Sequence, residues 1–250
     1  MYGTRKHPGK YRLLDRDCAV AELKRMRDAG GRTVVDLTCG GLKPDPLGLA
    51  AVSAAADVHV VIGCGYYVEE YQAPENLGKT VEQFAHEMIE QVFSGAWGTH
   101  IRAGIIGEIG CQSPWSELEK RVMRAAVVAQ RETGAALNVH PGRHQDQPQE
   151  VMELVKAEGG DAARTVISHL DRTIFDDERL FRLADTGCVM EFDLFGQETT
   201  YYWRAPAVHM PNDGMRLQTL RRLVDRGCLD RILISHDICY RSRLVRWGGH

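Results

Sequence analysis

The chain has 250 residues, 44% of them hydrophobic, and its 31 lysines and arginines nearly balance 34 aspartates and glutamates, for a formal net charge of −3. That length suits one large α/β barrel domain over residues 1–250. No linker-like stretch divides it, and the balanced charge without a long basic block argues against a nucleic-acid partner. Seven scattered cysteines, with no Cys-x-x-Cys pair, argue against both a zinc ribbon and a secreted disulfide framework and fit a reducing cytoplasm. No apolar run approaches the ~18 residues of a membrane span, and the N-terminal Met-Tyr-Gly-Thr-Arg-Lys-His-Pro lacks a signal-peptide core. The expected partner is a small-molecule substrate, with no nucleic acid and no membrane; a homodimer is compatible with this composition.

In chain order, Ala19, Val20, Leu23 and Met26 fall at helical spacing between Asp15 and Ala29, and Gly30-Gly31 supplies the stop. Thr33–Thr38 reads as a buried strand, followed by a Gly/Pro loop and an alanine-rich helix from Pro46 to Ala56. Val58–Gly63 is the next strand, opening into Cys64-Gly-Tyr-Tyr67 and a long loop. Thr80 with Gln83, and later Ser116 with Glu119, have capping-box spacing ahead of helices that start there, the second running to Thr133. Three short apolar runs follow one another between Gly104 and His169, ending at Glu108, His140 and His169. They are too short for helices and alternate with helical segments near residues 149–158 and 176–184. Cys188–Asp193 is a further strand, then come a long aromatic-rich loop, a helix around 216–226, and a last strand from Arg231 to Ser235 that ends at His236-Asp237.

Strands that alternate with helices are parallel and joined by crossovers. The expected fold is therefore a (β/α)8 TIM barrel with seven of its eight strands present, truncated at both ends so that a first strand and a last helix fall outside the chain. Parallel strands place their carboxyl ends on one rim, where barrel active sites lie. Glu108, His140, His169 and Asp237 should gather there. Histidine nitrogens and carboxylate oxygens are the donors of catalytic zinc and related ions. One such histidine alone would more often be a packing residue, but four strand-terminal donors on one rim favour a metal.

Other rim residues carry two readings each. Arg143 and Arg172 follow ligand strands and could grip an anionic part of the substrate, or form solvated surface pairs. Tyr67 could wall the pocket or cap the barrel. Strand alternation turns His236 away from the site, towards helix packing or a supporting role. Glu191 and Asp193 share one strand face, facing either the pocket or a salt-bridged interior. Cys64 and Cys111 read as buried free thiols. Gly63-Cys-Gly65 does not continue into a dinucleotide-binding fingerprint, and no strand end offers a lysine for Schiff-base chemistry.

The runs Gly104-Ile-Ile-Gly-Glu-Ile-Gly110, Asn138-Val-His-Pro-Gly-Arg143, Ser168-His-Leu-Asp-Arg172, Glu191-Phe-Asp-Leu-Phe-Gly196 and Ile234-Ser-His-Asp237 together resemble the phosphotriesterase-related proteins of the amidohydrolase superfamily. The resemblance covers nearly the whole chain. It implies a (β/α)8 barrel with two divalent ions, usually zinc. Glu108 would bridge both, His140 and His169 would hold one, and Asp237 would bind the other and accept a proton. It also implies metal-assisted hydrolysis, an activated hydroxide attacking an ester, lactone, amide or phosphoester. Two departures stand out. The family's His-x-His pair on the first strand has no counterpart here, His7 lying before Pro8 without a partner histidine. Glu108 stands where organophosphate-degrading members carry a carboxylated lysine, which points to the phosphotriesterase-related branch, with esters, lactones or amides as substrates. The alternative reading is a catalytically impaired metal-binding member with an incomplete site.

Overall fold

The computed structural model describes residues 13–199, 201–202 and 204–249. Among them, seven parallel strands form one sheet in chain order: β1 (Thr33–Asp36), β2 (His59–Cys64), β3 (Ile105–Gly110), β4 (Leu137–His140), β5 (Thr165–Ile167), β6 (Val189–Phe192) and β7 (Ile232–Ile234). The helices are α1 (Arg16–Asp28), α2 (Pro46–Ala56), α3 (Val81–Phe93), α4 (Glu117–Thr133), α5 (Gln147–Ala157), α6 (Asp177–Ala184) and α7 (Asp213–Asp225). Every expected strand and helix is found. Consecutive strands pair and a helix precedes each one, so the sheet curls into a barrel wall with all strands pointing the same way.

Burial follows from that arrangement. Every residue of β4 and β5 is buried, as expected where one face meets helices and the other lines the barrel interior. Among the described residues the outer strands β1 and β7 have a strand neighbour on one side only, and Val35, Leu233 and Ile234 are exposed. The core lies between the sheet and the helices. Phe84 and Met88 of α3, Val122, Met123 and Ala126 of α4, and Met152 of α5 pack with Ile106, Ile109, Leu137 and Val139 of the central strands. Each such large apolar side chain contributes about 1.5–3 kcal/mol on full burial.

Helix starts carry their sequence signals into the structure. Thr80 with Gln83 and Ser116 with Glu119 both form reciprocal capping boxes. Asp45 caps α2 by accepting from Gly48 N at 2.9 Å, and Gly134 ends α4 in a left-handed conformation with φ +70°. Two helices begin earlier than periodicity alone indicates. Pro148 in the first turn of α5 suits a helix start, and Asn212 caps α7 by accepting from Met215 N at 2.9 Å.

Glu119 does more than close its own capping box. Its Oε1 accepts from Glu69 N at 2.9 Å and its Oε2 from Gln112 N at 2.9 Å, tying the loops after β2 and β3 together on the rim. Beyond β7 the chain makes short 3₁₀ turns, and Glu22 of α1 accepts from both Val245 N (3.0 Å) and Arg246 N (2.9 Å).

Candidate metal centre

Three strand ends build the centre. In β3 the register slips between Ile106 and Ile109, a bulge that re-aims the intervening side chain into the barrel. Gly107 makes this turn at φ +130°, with the Asn138 backbone where a Cβ would sit. Glu108 follows and is buried. In β4, Leu137 and Val139 join the core beneath the helices, and the alternate positions Asn138 and His140 face inward. His169, just past β5, is left-handed at φ +58° and turns the chain into the 3₁₀ segment Leu170–Arg172. A non-glycine residue in that region costs about 1–3 kcal/mol and is held there by its surroundings.

The donor atoms converge. His140 Nδ1 lies 3.0 Å from Glu108 Oε2 and 2.8 Å from His169 Nε2, and the last two are 3.5 Å apart. Donors bound at zinc distances of about 2.0–2.1 Å in a tetrahedron stand roughly 3.3 Å from one another. The observed triangle is close to that spacing. A carboxylate oxygen and two imidazole nitrogens, all buried, also make a suitable donor set for a divalent ion, with room for a further ligand on the pocket side. The residues present therefore fit a divalent cation.

Electrostatics agree with the geometry. Burial works against charge on Glu108, yet the neighbouring His140 and His169 imidazoles bring its carboxyl down to about 2. Burial pushes His140 well below its ordinary value, against the pull of Glu108. Burial acts the same way on His169, but Asp193 and Glu108 together outweigh it and hold that imidazole well above its ordinary value. His169 Nδ1 lies 2.7 Å from Asp193 Oδ2, an ion-pair contact that leaves Nε2 as the inward nitrogen. Tyr67 is buried edge-on against the His140 ring, at a centroid distance of 4.9 Å, with its Oη 3.4 Å from Nε2. It backs the candidate ligand rather than lining the pocket.

The residues lining the pocket beside the triad include His140, His169 and Asp237 and four arginines, Arg143, Arg172, Arg204 and Arg243. Asp237 is left-handed at φ +43° and lies outside the three-donor group. Its Oδ2 is 3.3 Å from Arg243 Nη1. Burial, aided by Glu108, raises its carboxyl against His169 and Arg243. Arg172 is buried and spends its donors on Pro141 O (2.9 Å), Gly142 O (3.4 Å) and Thr173 Oγ1 (3.1 Å). Arg143 donates to Tyr202 Oη at 3.1 Å and lies over that ring, 5.4 Å from its centroid. Tyr202 and Arg204 sit on the loop between β6 and α7. Arg216 latches that region, donating to Asp171 Oδ2 (2.8 Å), Asp213 Oδ1 (2.6 Å) and Gln197 O (2.9 Å).

The structure thus brings Glu108, His140 and His169 together, sets Asp237, Arg143 and Arg172 at the same pocket, and puts Tyr67 behind His140. His236 is exposed, with Nδ1 3.2 Å from Phe195 O, and packs under no helix among the described residues. Cys64 and Cys111 are buried free thiols, and His7 lies outside the described residues. Glu191 accepts from Ser168 Oγ at 2.5 Å inside the barrel wall. Sequence reasoning saw Asp193 but not its hold on His169, although its strand-end place on β6 was a usable signal. It did not see Tyr202, Arg204 or Arg243, which come from irregular segments without periodicity.

The Phosphotriesterase family profile matches residues 10–250. A phosphotriesterase-related protein of Nematostella vectensis is 42% identical over 231 residues, which cover 92% of this chain and 66% of that protein. The N-acetyltaurine hydrolase of Bos taurus is 40% identical over 229 residues, again 92% of this chain and 66% of the relative. Among solved structures, a resiniferatoxin-binding protein from Rhodobacter sphaeroides superposes with a TM-score of 0.90 at 36% identity, over 95% of this chain and 66% of that one. The chain therefore spans 66% of the length of these proteins.

Proposed function

Because the chain belongs to the phosphotriesterase family, we propose that it is a divalent-metal-dependent hydrolase whose ion is held by Glu108 Oε2, His140 Nδ1 and His169 Nε2. The observation that carries this reading is the convergence of those three buried donors at ligand spacing. Zinc is the metal proposed, and Glu108 with Asp237 would help to hold a second ion. A cation bound there would supply a Lewis acid that polarises a scissile carbonyl and makes water more acidic.

The chain's own groups would do the rest. Asp193 fixes the His169 ring so that Nε2 faces inward, and Tyr67 braces the His140 ring. Asp237, on the pocket wall, is the proposed acceptor of the attacking water's proton and its donor to the leaving group. Substrates are proposed to be esters, lactones, amides or phosphoesters. The name of the bovine relative makes N-acyl amides the first to try.

One observation favours a second reading. Asp237 is drawn to Arg243 and lies outside the donor group, as in a metal-binding member with impaired catalysis. Elemental analysis and a panel of esters, lactones and amides on the zinc-loaded chain decide between them. Turnover of any of these, lost in both His140→Ala and His169→Ala with the fold retained, supports the hydrolase. Metal bound through the triad with no turnover supports the second reading. Metal binding unchanged in both variants would remove the triad from either.

A further inference from the structure

Asp193 is the carboxylate that holds His169, and its own side-chain contacts do not explain its aim. It is buried, one oxygen lies 2.7 Å from His169 Nδ1, and the other has no hydrogen-bond partner among the described residues. A carboxylate steered by a single side-chain contact takes its direction from its backbone. The backbone that follows, residues 194–197, is held at three points. Leu194 N donates to Asp171 Oδ2 at 3.0 Å, Gly196 N donates to both oxygens of Asp213 at 3.1 Å, and Gln197 O accepts from Arg216 Nη2 at 2.9 Å.

Arg216 connects all three. Its Nε donates to the same Asp171 oxygen at 2.8 Å and its Nη1 to Asp213 Oδ1 at 2.6 Å. The side chains of Asp171 and Arg216 are each 1% exposed. A pair buried this deeply is weak evidence for stability, because desolvation offsets much of its attraction. Its placement is more informative. Asp171 stands two residues after His169, so the contacts close a circuit. The circuit runs from His169 along the chain to Asp171, across to Leu194, back one residue to Asp193, and across to the His169 ring. One carboxylate thus sets the spacing between the ends of β5 and β6, and a guanidinium from the first turn of α7 holds that carboxylate in place.

We propose that Arg216, acting through Asp171, is a positioning residue for the metal centre. It fixes the end of β6 so that Asp193 meets His169 Nδ1 and His169 Nε2 stays turned towards Glu108 and His140. This rests on the metal-centre reading for what His169 binds, and adds a determinant that touches none of the three donors.

The test combines zinc affinity of the full chain, by chelator competition, with the imidazole N–H proton resonances of the metal-free chain. Arg216→Lys keeps a positive charge beside Asp171 but cannot reach three partners at once. It should weaken zinc binding by about 10-fold and displace the low-field His169 N–H resonance, identified as the one that Asp193→Asn removes. In an Asp193→Asn background the same change should alter affinity by less than about 2-fold, since both act through one contact. Arg222→Gln frees α7 from Asp177 of α6, a bond of 2.9 Å, and should lower stability without moving either readout. Additive losses in the double variant, an unmoved resonance in Arg216→Lys, or an equal loss of affinity in Arg222→Gln would overturn the positioning role. Should Arg216→Lys not fold, Asp171→Asn with Arg216→Met, which leaves no buried charge unpaired, carries the same expectations; failure of both to fold makes the pair a scaffold tie and overturns the role as well. The two ideas fail separately. A chain that binds no zinc loses the metal centre, while the His169 resonance still tests Arg216. A chain that binds zinc through the triad equally well with Arg216→Lys loses only the positioning role.

Discussion

His169 presents one nitrogen to Glu108 and His140 and the other to Asp193. A carboxylate on the outer nitrogen of a metal-binding histidine fixes the ring's orientation and raises its basicity, and its loss typically costs 10–100-fold in metal affinity. Asp193→Asn is therefore expected to weaken zinc binding by about that factor with little change in fold, as read by chelator competition. A second residue-scale prediction concerns Asp45. Its bond from Gly48 N, helped by Arg16 at 2.9 Å, lowers its carboxyl below the ordinary 3.8. A depressed folded-state value means the cap stabilises above pH ~4 and is lost as pH falls through that lower value. Asp45→Ala should cost about 1 kcal/mol at neutral pH. The gap between variant and parent in urea melts should close on acidification below pH 4; a gap that widens in acid would contradict the cap.

Elements show how local signals and local surprises divide. The capping boxes of α3 and α4 were legible because Thr80/Gln83 and Ser116/Glu119 satisfy helix-end donors through neighbours in sequence. The strand ends were legible too, since short apolar runs bounded by polar residues have few other solutions. The bulge in β3 was not. The run Ile105–Gly110 reads as an ordinary buried strand, and only the packing of Gly107 against the Asn138 backbone shows why the register slips there. Gly107→Ala should destabilise the protein by about 1–3 kcal/mol, because its φ of +130° is rarely open to a side chain. It should also weaken metal binding, because Glu108 is aimed by that slip. Denaturant melts and zinc titration on the same sample read both, and an effect on stability alone would separate the bulge from the site.

At the scale of the molecule, parallel order alone brings Glu108, His140 and His169 to one rim, which is why donors 32 and 29 positions apart along the chain could be joined on paper. The arginine-lined wall could not. It depends on the loop between β6 and α7 and on the segment after β7, and their course is set by Arg216 with Asp171 and by Arg243 with Asp237. Such pairs join residues with no shared period, so nothing in a one-dimensional pattern announces them. The same holds for Glu22, whose carboxylate receives the amides of Val245 and Arg246 across 223 and 224 positions of chain. Contacts of that separation pay their loop-closure entropy only once the intervening βα units have docked, so this clasp belongs late on the folding route. Its loss should hardly slow refolding. Instead Glu22→Ala, removing about 1 kcal/mol, should speed unfolding roughly fivefold and leave the refolding limb of a chevron plot in place. Slower refolding would instead place the clasp in the nucleus.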